Sequence, residues 1–322
     1  MDLKEIQKLP KVELHLHLDG SLSLDLAKKL TNKSLNELKE EMIAKDKCES
    51  LTEYLTKFDT PISLMQTKEN LTLAAQTLVN DLALQNVVYA EIRFAPMFHT
   101  QNGLTYEEIV EAVLNGLNKN SNIKVNLILC LMRGFPEENN LKTIEVAKKY
   151  LNKGVCAIDL AGDEIKYPTS TYLKYFEIAK KENIPFTIHA GESRGADEVD
   201  VAISTGTKRI GHGIHSIEDI DVVNKVRDNN VLLEVCPTSN IQTNSIDTYK
   251  KHPINDLYHM GVQISINTDN STVSNISLSE EYLKLHTTFN FTKDDFNKIN
   301  IMALNHAFIS KQEKEILLKK FS

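Results

Sequence analysis

The sequence predicts a (β/α)₈ barrel with a helical insertion after its first strand, and three observations point there. The chain has 322 residues, enough for a barrel that typically takes about 250 plus insertions. Eight short apolar runs alternate with longer charged segments of helical period. No glycine-rich phosphate loop follows the first run, which the runner-up architecture, a doubly wound open sheet, would want. With no Pro/Gly/Ser-rich linker and no repeat of solenoid length, residues 1–322 read as one domain.

The strand-like runs are 12–17, 87–94, 125–131, 156–160, 186–189, 209–212, 232–235 and 263–267. Between them lie segments such as YEEIVEAVLNGLNK, NNLKTIEVAKKYLNK, STYLKYFEIAKKEN and IEDIDVVNKVRDNN. Each places apolar residues at helical spacing and keeps its charges on the other side. One connection is oversized. From about 19 to 85 the chain reads as several helices: SLDLAKKL, LNELKEEMI, SLTEYLTKF and a long run from 62 to 84. Extra material after a barrel strand sits over the C-terminal face, so this insertion is expected to wall or cover a pocket. The segment from Leu278 onward reads as helices closing the outside.

Composition narrows the function classes. Lys and Arg number 37 against 44 Asp and Glu, a net charge of -7, which argues against a nucleic-acid partner. No apolar stretch is long enough to span a membrane, and the charged start MDLKEIQKLPK lacks a signal-like apolar core. Cys48, Cys130, Cys156 and Cys236 show no paired spacing and read as reduced thiols, so a cytoplasmic setting is expected. Nothing in the sequence names a protein partner.

The histidines carry the chemistry. His15 and His17 form an H-x-H pair in the first run, and alternate residues of a strand point the same way. Two imidazoles side by side in an apolar interior are costly unless a bound ion offsets their desolvation. Taken alone, the short pair also fits a surface strand with two solvated rings. His189 closes the fifth run, with Glu192 three residues on. His212 ends the sixth between two glycines, and Asp269 ends the eighth. These groups fall at or near the C-terminal ends of strands 1, 5, 6 and 8, which converge on one mouth in a barrel. The other six histidines, His99, His215, His252, His259, His286 and His306, read as surface or packing residues.

The motifs HLHLDGS, DLAGDE, TIHAGE, RIGHG, CPTSN and NTDN, in this order from about Lys11 to about Ile309, resemble the adenosine deaminases of the amidohydrolase superfamily. The resemblance implies a barrel holding one zinc ion (Zn²⁺) through His15, His17, His189 and Asp269. It implies Glu192 as the acid that protonates purine N1, and His212 as the group that orients the attacking oxygen and stabilises its developing charge. Gly162 would offer its N–H to N3, Asp19 would bond the ribose 5′-hydroxyl, and His17 borders the substrate. Leu51, Tyr54, Leu55 and Phe58 would form an apolar wall; their i, i+3, i+4, i+7 spacing fits ordinary core packing equally well. The reaction implied is hydrolysis of adenosine, and of 2′-deoxyadenosine, to inosine and ammonia in purine salvage.

Four departures and exclusions refine this. Relatives acting on free adenine resemble this pattern but carry Glu in place of Asp19, and those acting on nucleoside monophosphates carry an uncharged residue there. Most adenosine deaminases have two aspartates where this chain has Asp269-Asn270; an asparagine amide is a ready-made donor for purine N7. The editing deaminases use H-x-E with P-C-x-x-C, and neither pattern occurs here. Two-metal members of the superfamily usually carry a bridging lysine after the fourth strand, where this chain reads DLAGDE. The rival readings are an adenine or methylthioadenosine deaminase on the same barrel, and a barrel that binds a nucleoside without turning it over.

Overall fold

In the computed structural model, which describes residues 1–321, each of the eight apolar runs contributes a strand. They are β1 (Lys11–His17), β2 (Val87–Phe94), β3 (Lys124–Met132), β4 (Val155–Ala161), β5 (His189–Ala190), β6 (Arg209–His212), β7 (Leu232–Val235) and β8 (Gln263–Ile266). Every neighbouring pair is parallel, in the order β1 to β4 and β5 to β8. Two isolated bridges join the halves, Ile158 to Phe186 and Leu16 to Asp269. At the first seam the Thr187 N–H donates to the Ile158 carbonyl at 3.0 Å; at the second, the Asp269 and His17 N–H groups donate to the carbonyls of His15 and Asp269 at 3.0 and 2.7 Å. The arrangement is a (β/α)₈ barrel.

The fifth strand differs from the expected 186–189. Phe186 pairs with β4 through a single bridge, and ladder pairing with β6 starts only at His189. Pro185 has no N–H to give to a ladder. The run therefore hands over from one neighbour to the other instead of pairing with both along its length.

Apart from the start of β3, where Lys124 is exposed, each strand is largely buried on both faces, as a barrel strand between side-chain interior and helical jacket should be. In β1, Glu13, His15 and His17 turn to one side, and Val12 and Leu14 turn to the other, packing with Ala303 and Leu304 of the helix Lys293–His306. Thr292 starts that helix with a capping box closed by Asp295, a device worth about 1 kcal/mol. Its buried Phe296, Ile299, Ala303 and Leu304 form the apolar stripe that lies on the barrel. A six-residue helix, Leu3–Lys8, was not expected; its sequence signal is the Asp2/Glu5 capping box.

The insertion is helical, as expected: Leu24–Leu30, Leu35–Met42, Leu51–Leu55, Asp59–Leu64 and Lys68–Leu84. The long run from 62 to 84 breaks at Met65, because Thr67 starts a new helix by accepting the Asn70 N–H on its hydroxyl. The break leaves the Met65 carbonyl free of the helical ladder, and a side chain uses it.

The barrel interior below the mouth is charged. Arg93 on β2 donates to Asp159 of β4 at 3.0 Å and to Glu234 of β7 at 2.7 Å; Arg209 on β6 donates to Glu234 at 2.7 Å and to Glu91. All five side chains are fully buried. Ions taken out of water this completely persist only when paired, and removing one partner costs about 3–5 kcal/mol.

Candidate active site

Four candidate ligand atoms meet at the C-terminal mouth. Those of His15, His17, His189 and Asp269 all lie within 4.8 Å of one another, in buried surroundings. The Nε2 atoms of His17 and His189 are 3.3 Å apart, and Asp269 Oδ1 stands 3.4 and 3.5 Å from Nε2 of His15 and His17. Ligands held at about 2.0–2.1 Å around one tetrahedral ion are separated by roughly 3.3–3.4 Å, so the spacing is that of a metal shell.

Hydrogen bonding settles which nitrogens face the centre. His15 Nδ1 donates to Glu234 at 2.9 Å and His189 Nδ1 donates to Asp159 at 2.9 Å. In a neutral ring the opposite nitrogen is then a bare acceptor. His15 Nε2 is accordingly buried with no hydrogen-bond partner, and His17 and His189 turn two ring nitrogens toward each other. Such lone pairs need a cation. Burial lowers the pKa of His17 and His189 and keeps both rings neutral. Burial alone would raise the Asp269 carboxyl, but the imidazoles of His15, His212 and His17 packed around it hold it below the usual carboxylate range. The group can therefore hold a divalent metal ion.

Two of these residues sit in strained backbone. His212 has φ 60° and Asp269 φ 62°, whereas the other seven described non-glycine residues with positive φ are all asparagines. Left-handed backbone costs roughly 1 kcal/mol or more for such residues and gathers at functional sites. Here it turns each side chain into the mouth, His212 at the end of β6 and Asp269 just past the end of β8.

Above the centre opens a cavity of about 620 Å³. Its lining includes His17, Asp19, Gly162, His189, Glu192, His212, Asp269 and Asn270 together with Leu51, Tyr54, Leu55 and Phe58 of the insertion. Every residue expected to touch a substrate thus borders one space, while His15 lies beneath it. Burial pushes the Glu192 carboxyl well above the usual carboxylate range, and the charges of Asp269 and Glu164 push the same way. Burial likewise holds His212 well below its ordinary value; its Nε2 is 3.7 Å from Glu192 Oε2.

The loop carrying Glu192 is tied down by Glu164, the last residue of DLAGDE. Its carboxylate accepts the main-chain N–H groups of Gly191, Glu192, Ser193 and Arg194 at 2.5, 3.1, 2.8 and 3.1 Å. Gly162 has φ +106°, a conformation that other residues adopt only with strain. Gly20 is required by a close approach: a Cβ there would lie 2.0 Å from Asn270 Oδ1. Asn270 donates to the Tyr54 hydroxyl at 3.1 Å, and that hydroxyl is 2.7 Å from Ser274 Oγ. Tyr54 is therefore more than apolar wall, because it joins the insertion to the loop after β8.

Sequence reasoning missed several residues. His99 and His252, taken as surface or packing side chains, are both buried in polar networks next to the site. His99 Nε2 lies 2.7 Å from Asp19 Oδ1 and its Nδ1 lies 2.9 Å from the Met65 carbonyl. His252 reaches His212 through Asn240. Asp159 and Glu234, which orient the rings of His189 and His15, had a visible signal: a carboxylate set within an otherwise apolar strand.

Comparison with known proteins adds relatives. The adenosine deaminase family model matches residues 10–322. The adenosine deaminase of Clostridium perfringens is 40% identical over 321 residues, covering 96% of this chain and 97% of that one. Among solved structures, the apo N6-methyl-AMP deaminase of Arabidopsis thaliana is similar with a TM-score of 0.88 at 29% identity, over 99% of this chain and 98% of its own. The adenine deaminase of Arthrobacter aurescens shares the fold with a TM-score of 0.89 at 24% identity, over 97% and 98%.

Proposed function

The chain belongs to the adenosine deaminase family, and from that premise we propose that residues 1–322 act as one hydrolase that converts adenosine, and 2′-deoxyadenosine, to inosine and ammonia in cytoplasmic purine salvage. The observation that carries the reading is a raised-pKa carboxyl, Glu192, facing the same cavity as four metal-ligand atoms. Four buried cysteines, all unpaired, fit a reducing compartment.

The donor set suits one Zn²⁺ per chain, since imidazole and carboxylate are among its usual ligands. Held by His15, His17, His189 and Asp269, the ion would supply the Lewis acidity that makes water a nucleophile near neutrality. Everything else falls to side chains and backbone. Glu192, kept protonated by burial, gives its proton to purine N1; this draws electrons from C6 and lets oxygen add without building a ring anion. His212 steadies the charge developing on the attacking oxygen. As the C6–N bond breaks, the amine takes one proton from the attacking water and leaves as ammonia, the water's second proton restores the Glu192 acid, and the proton Glu192 gave stays on N1 of the product.

Substrate positioning uses the rest of the rim. Gly162 offers its N–H to N3, the Asn270 amide meets N7, and Asp19 accepts the 5′-hydroxyl, with His17 alongside. Leu51, Tyr54, Leu55 and Phe58 cover the apolar side and exclude water. A carboxylate that accepts a sugar hydroxyl disfavours a 5′-phosphate at the same place, and sites built for a hydroxyl can reject analogues lacking it by about 10⁴-fold. The test is zinc content and adenosine-to-inosine conversion, read by ultraviolet absorbance on one purified sample, with adenine, methylthioadenosine and AMP beside it. One zinc per chain with adenosine fastest is the expected result. A zinc-loaded protein that leaves adenosine intact overturns the reading. Asn270→Ala should raise KM well above wild type, and an unchanged KM refutes the N7 contact.

A further inference from the structure

His212 has two ring nitrogens, and only one arrangement of its hydrogen lets it donate into the site. Which arrangement holds can be read outward from a single unambiguous donor. The main-chain N–H of Ile254 points at His252 Nδ1, 3.2 Å away. That nitrogen must therefore be a bare acceptor, and the neutral ring carries its hydrogen on Nε2. Burial favours the same state by pushing the His252 pKa down to about 3. His252 Nε2 lies 3.2 Å from the Asn240 side-chain oxygen, so it donates there. The amide of Asn240 is thereby oriented, with its NH₂ directed at His212 Nδ1 at 3.0 Å. His212 Nδ1 must accept, and its hydrogen is left on Nε2, the nitrogen on the Glu192 side of the ring.

We infer that Asn240 and His252 form a positioning relay that locks His212 in the Nε2–H tautomer, ready to donate to an oxygen in the cavity. The inference rests on the role given to His212 above. Both relay residues are buried, so no water competes for the amide, and the direction of every bond follows from one backbone hydrogen. Asn240 belongs to the helix Pro237–Gln242 and His252 to the segment before the helix Ile254–His259. The relay therefore hangs the ring of His212, the last residue of β6, on the connection between β7 and β8.

Long-range proton–nitrogen spectra of the metal-loaded, ¹⁵N-histidine-labelled protein read the tautomer directly, with H212N identifying the signal. Wild type should show His212 as the neutral Nε2–H form at neutral pH. In N240D the carboxylate can only accept, so His212 should move its hydrogen to Nδ1. Turnover should then fall by about 10²-fold with metal content kept and KM little changed, the loss expected when a donor to developing charge is removed. H252Q frees the amide of Asn240 and should give both tautomers with a smaller loss of kcat; it decides the matter if N240D does not fold. A wild-type His212 carrying its hydrogen on Nδ1, or a spectrum and kcat unmoved in both variants, overturns the relay. Full turnover in H212N would instead refute the role of His212 itself, and the wild-type spectrum still decides the relay.

Discussion

Asp19 and His99 are joined across the rim of the barrel: the imidazole of His99 stands 2.7 Å from one carboxylate oxygen, and the Ala95 N–H donates to the other at 3.1 Å. The far side of the His99 ring is anchored on the Met65 carbonyl at 2.9 Å, the carbonyl left open where the insertion helix breaks. Asp19 is thus aimed from the loop after β2, not by its own strand. The expected consequence concerns the sugar end alone. H99L should raise KM for adenosine about tenfold, the scale of one lost charge-assisted hydrogen bond, and leave 5′-deoxyadenosine almost untouched, whereas H99Q, which keeps a donor, should restore part of the preference. Equal losses for the two substrates would reduce His99 to a packing residue. A wild type that does not distinguish them would remove Asp19 from the 5′-hydroxyl.

Glu192 is held protonated by burial first and by the charges of Asp269 and Glu164 next. A raised carboxyl is active in its acid form, so kcat/KM should decline on the alkaline side as Glu192 gives up its proton in the free enzyme. E192Q keeps the shape and cannot give a proton. It should retain metal and bind inosine normally, lose turnover by about 10²–10⁴-fold, and show no such alkaline limb in its residual rate. Wild-type turnover in E192Q would assign the acid elsewhere.

What the sequence makes legible is what local periodicity encodes. Parallel strands buried on both faces read as short continuous apolar runs, so all eight were visible. The candidate ligands stood out because H-x-H places two rings on one side of a strand and the others lie at or near strand ends. His99, Asn240, His252 and Glu164 act through partners 80, 28, 12 and 27–30 residues away, and no periodicity marks pairings between loops. The charged interior was half legible. Glu91, Arg93, Asp159 and Glu234 each interrupt an apolar run and Arg209 opens one, which betrays an inward-facing ion, but which ion meets which depends on how the barrel closes. The break at Met65 depends on one Thr67 cap, a choice that the apolar pattern on either side does not reveal.

Glu164 turns a loop into a support. Its four N–H contacts satisfy the backbone around Glu192 with one carboxylate, much as an anion is bound in a main-chain nest. In E164Q an amide NH₂ would face those donors, and at least one buried N–H would lose its acceptor, at about 1–3 kcal/mol. The variant should melt a few degrees lower, at the roughly 1.5 °C per kcal/mol that an unfolding entropy of about 2.1 cal/mol/K per residue gives a chain of this length. Its kcat should fall more than its KM changes, because the proton donor is misplaced while the purine contacts from Gly162 and Asn270 remain. A variant with full kcat and lowered melting temperature would show that the loop needs no such anchor for catalysis.

Removal of the metal should be felt in folding as well as in rate. Without a cation, the ring nitrogens of His15, His17 and His189 and the Asp269 carboxylate face one another within 4.8 Å. A ligand that binds only the folded state stabilises it by RT ln(1 + [L]/Kd), about 4 kcal/mol at a thousandfold excess over Kd. Chelation should therefore abolish activity and lower the melting temperature, with both restored by added zinc. H17A should reduce zinc stoichiometry measured by elemental analysis; full stoichiometry in that variant would remove His17 from the shell.

Acid should destabilise this fold in part through His252. Burial lowers its pKa from an ordinary 6.5 to about 3, with a smaller contribution from the charge of His215. The unfolded chain takes up a proton as pH falls through 6.5, whereas the folded chain does not until about 3. The unfolded state thus binds more protons throughout that window, and stability drops as pH falls, by at most about 1.4 kcal/mol per pH unit. Above pH 6.5 the contribution is fully present and flat. Comparing wild type with H252Q cancels the other acid-sensitive groups, the metal ligands among them. Loss of the His252 hydrogen bonds shifts stability at every pH, but only the titration changes the slope. Denaturant unfolding at pH 7.5 and pH 5 should show wild type losing about 2 kcal/mol more than H252Q over this interval. Parallel pH dependences in the two proteins would mean that His252 takes up its proton inside the fold, and its link to Asn240 would then lack the bare Nδ1 on which it depends.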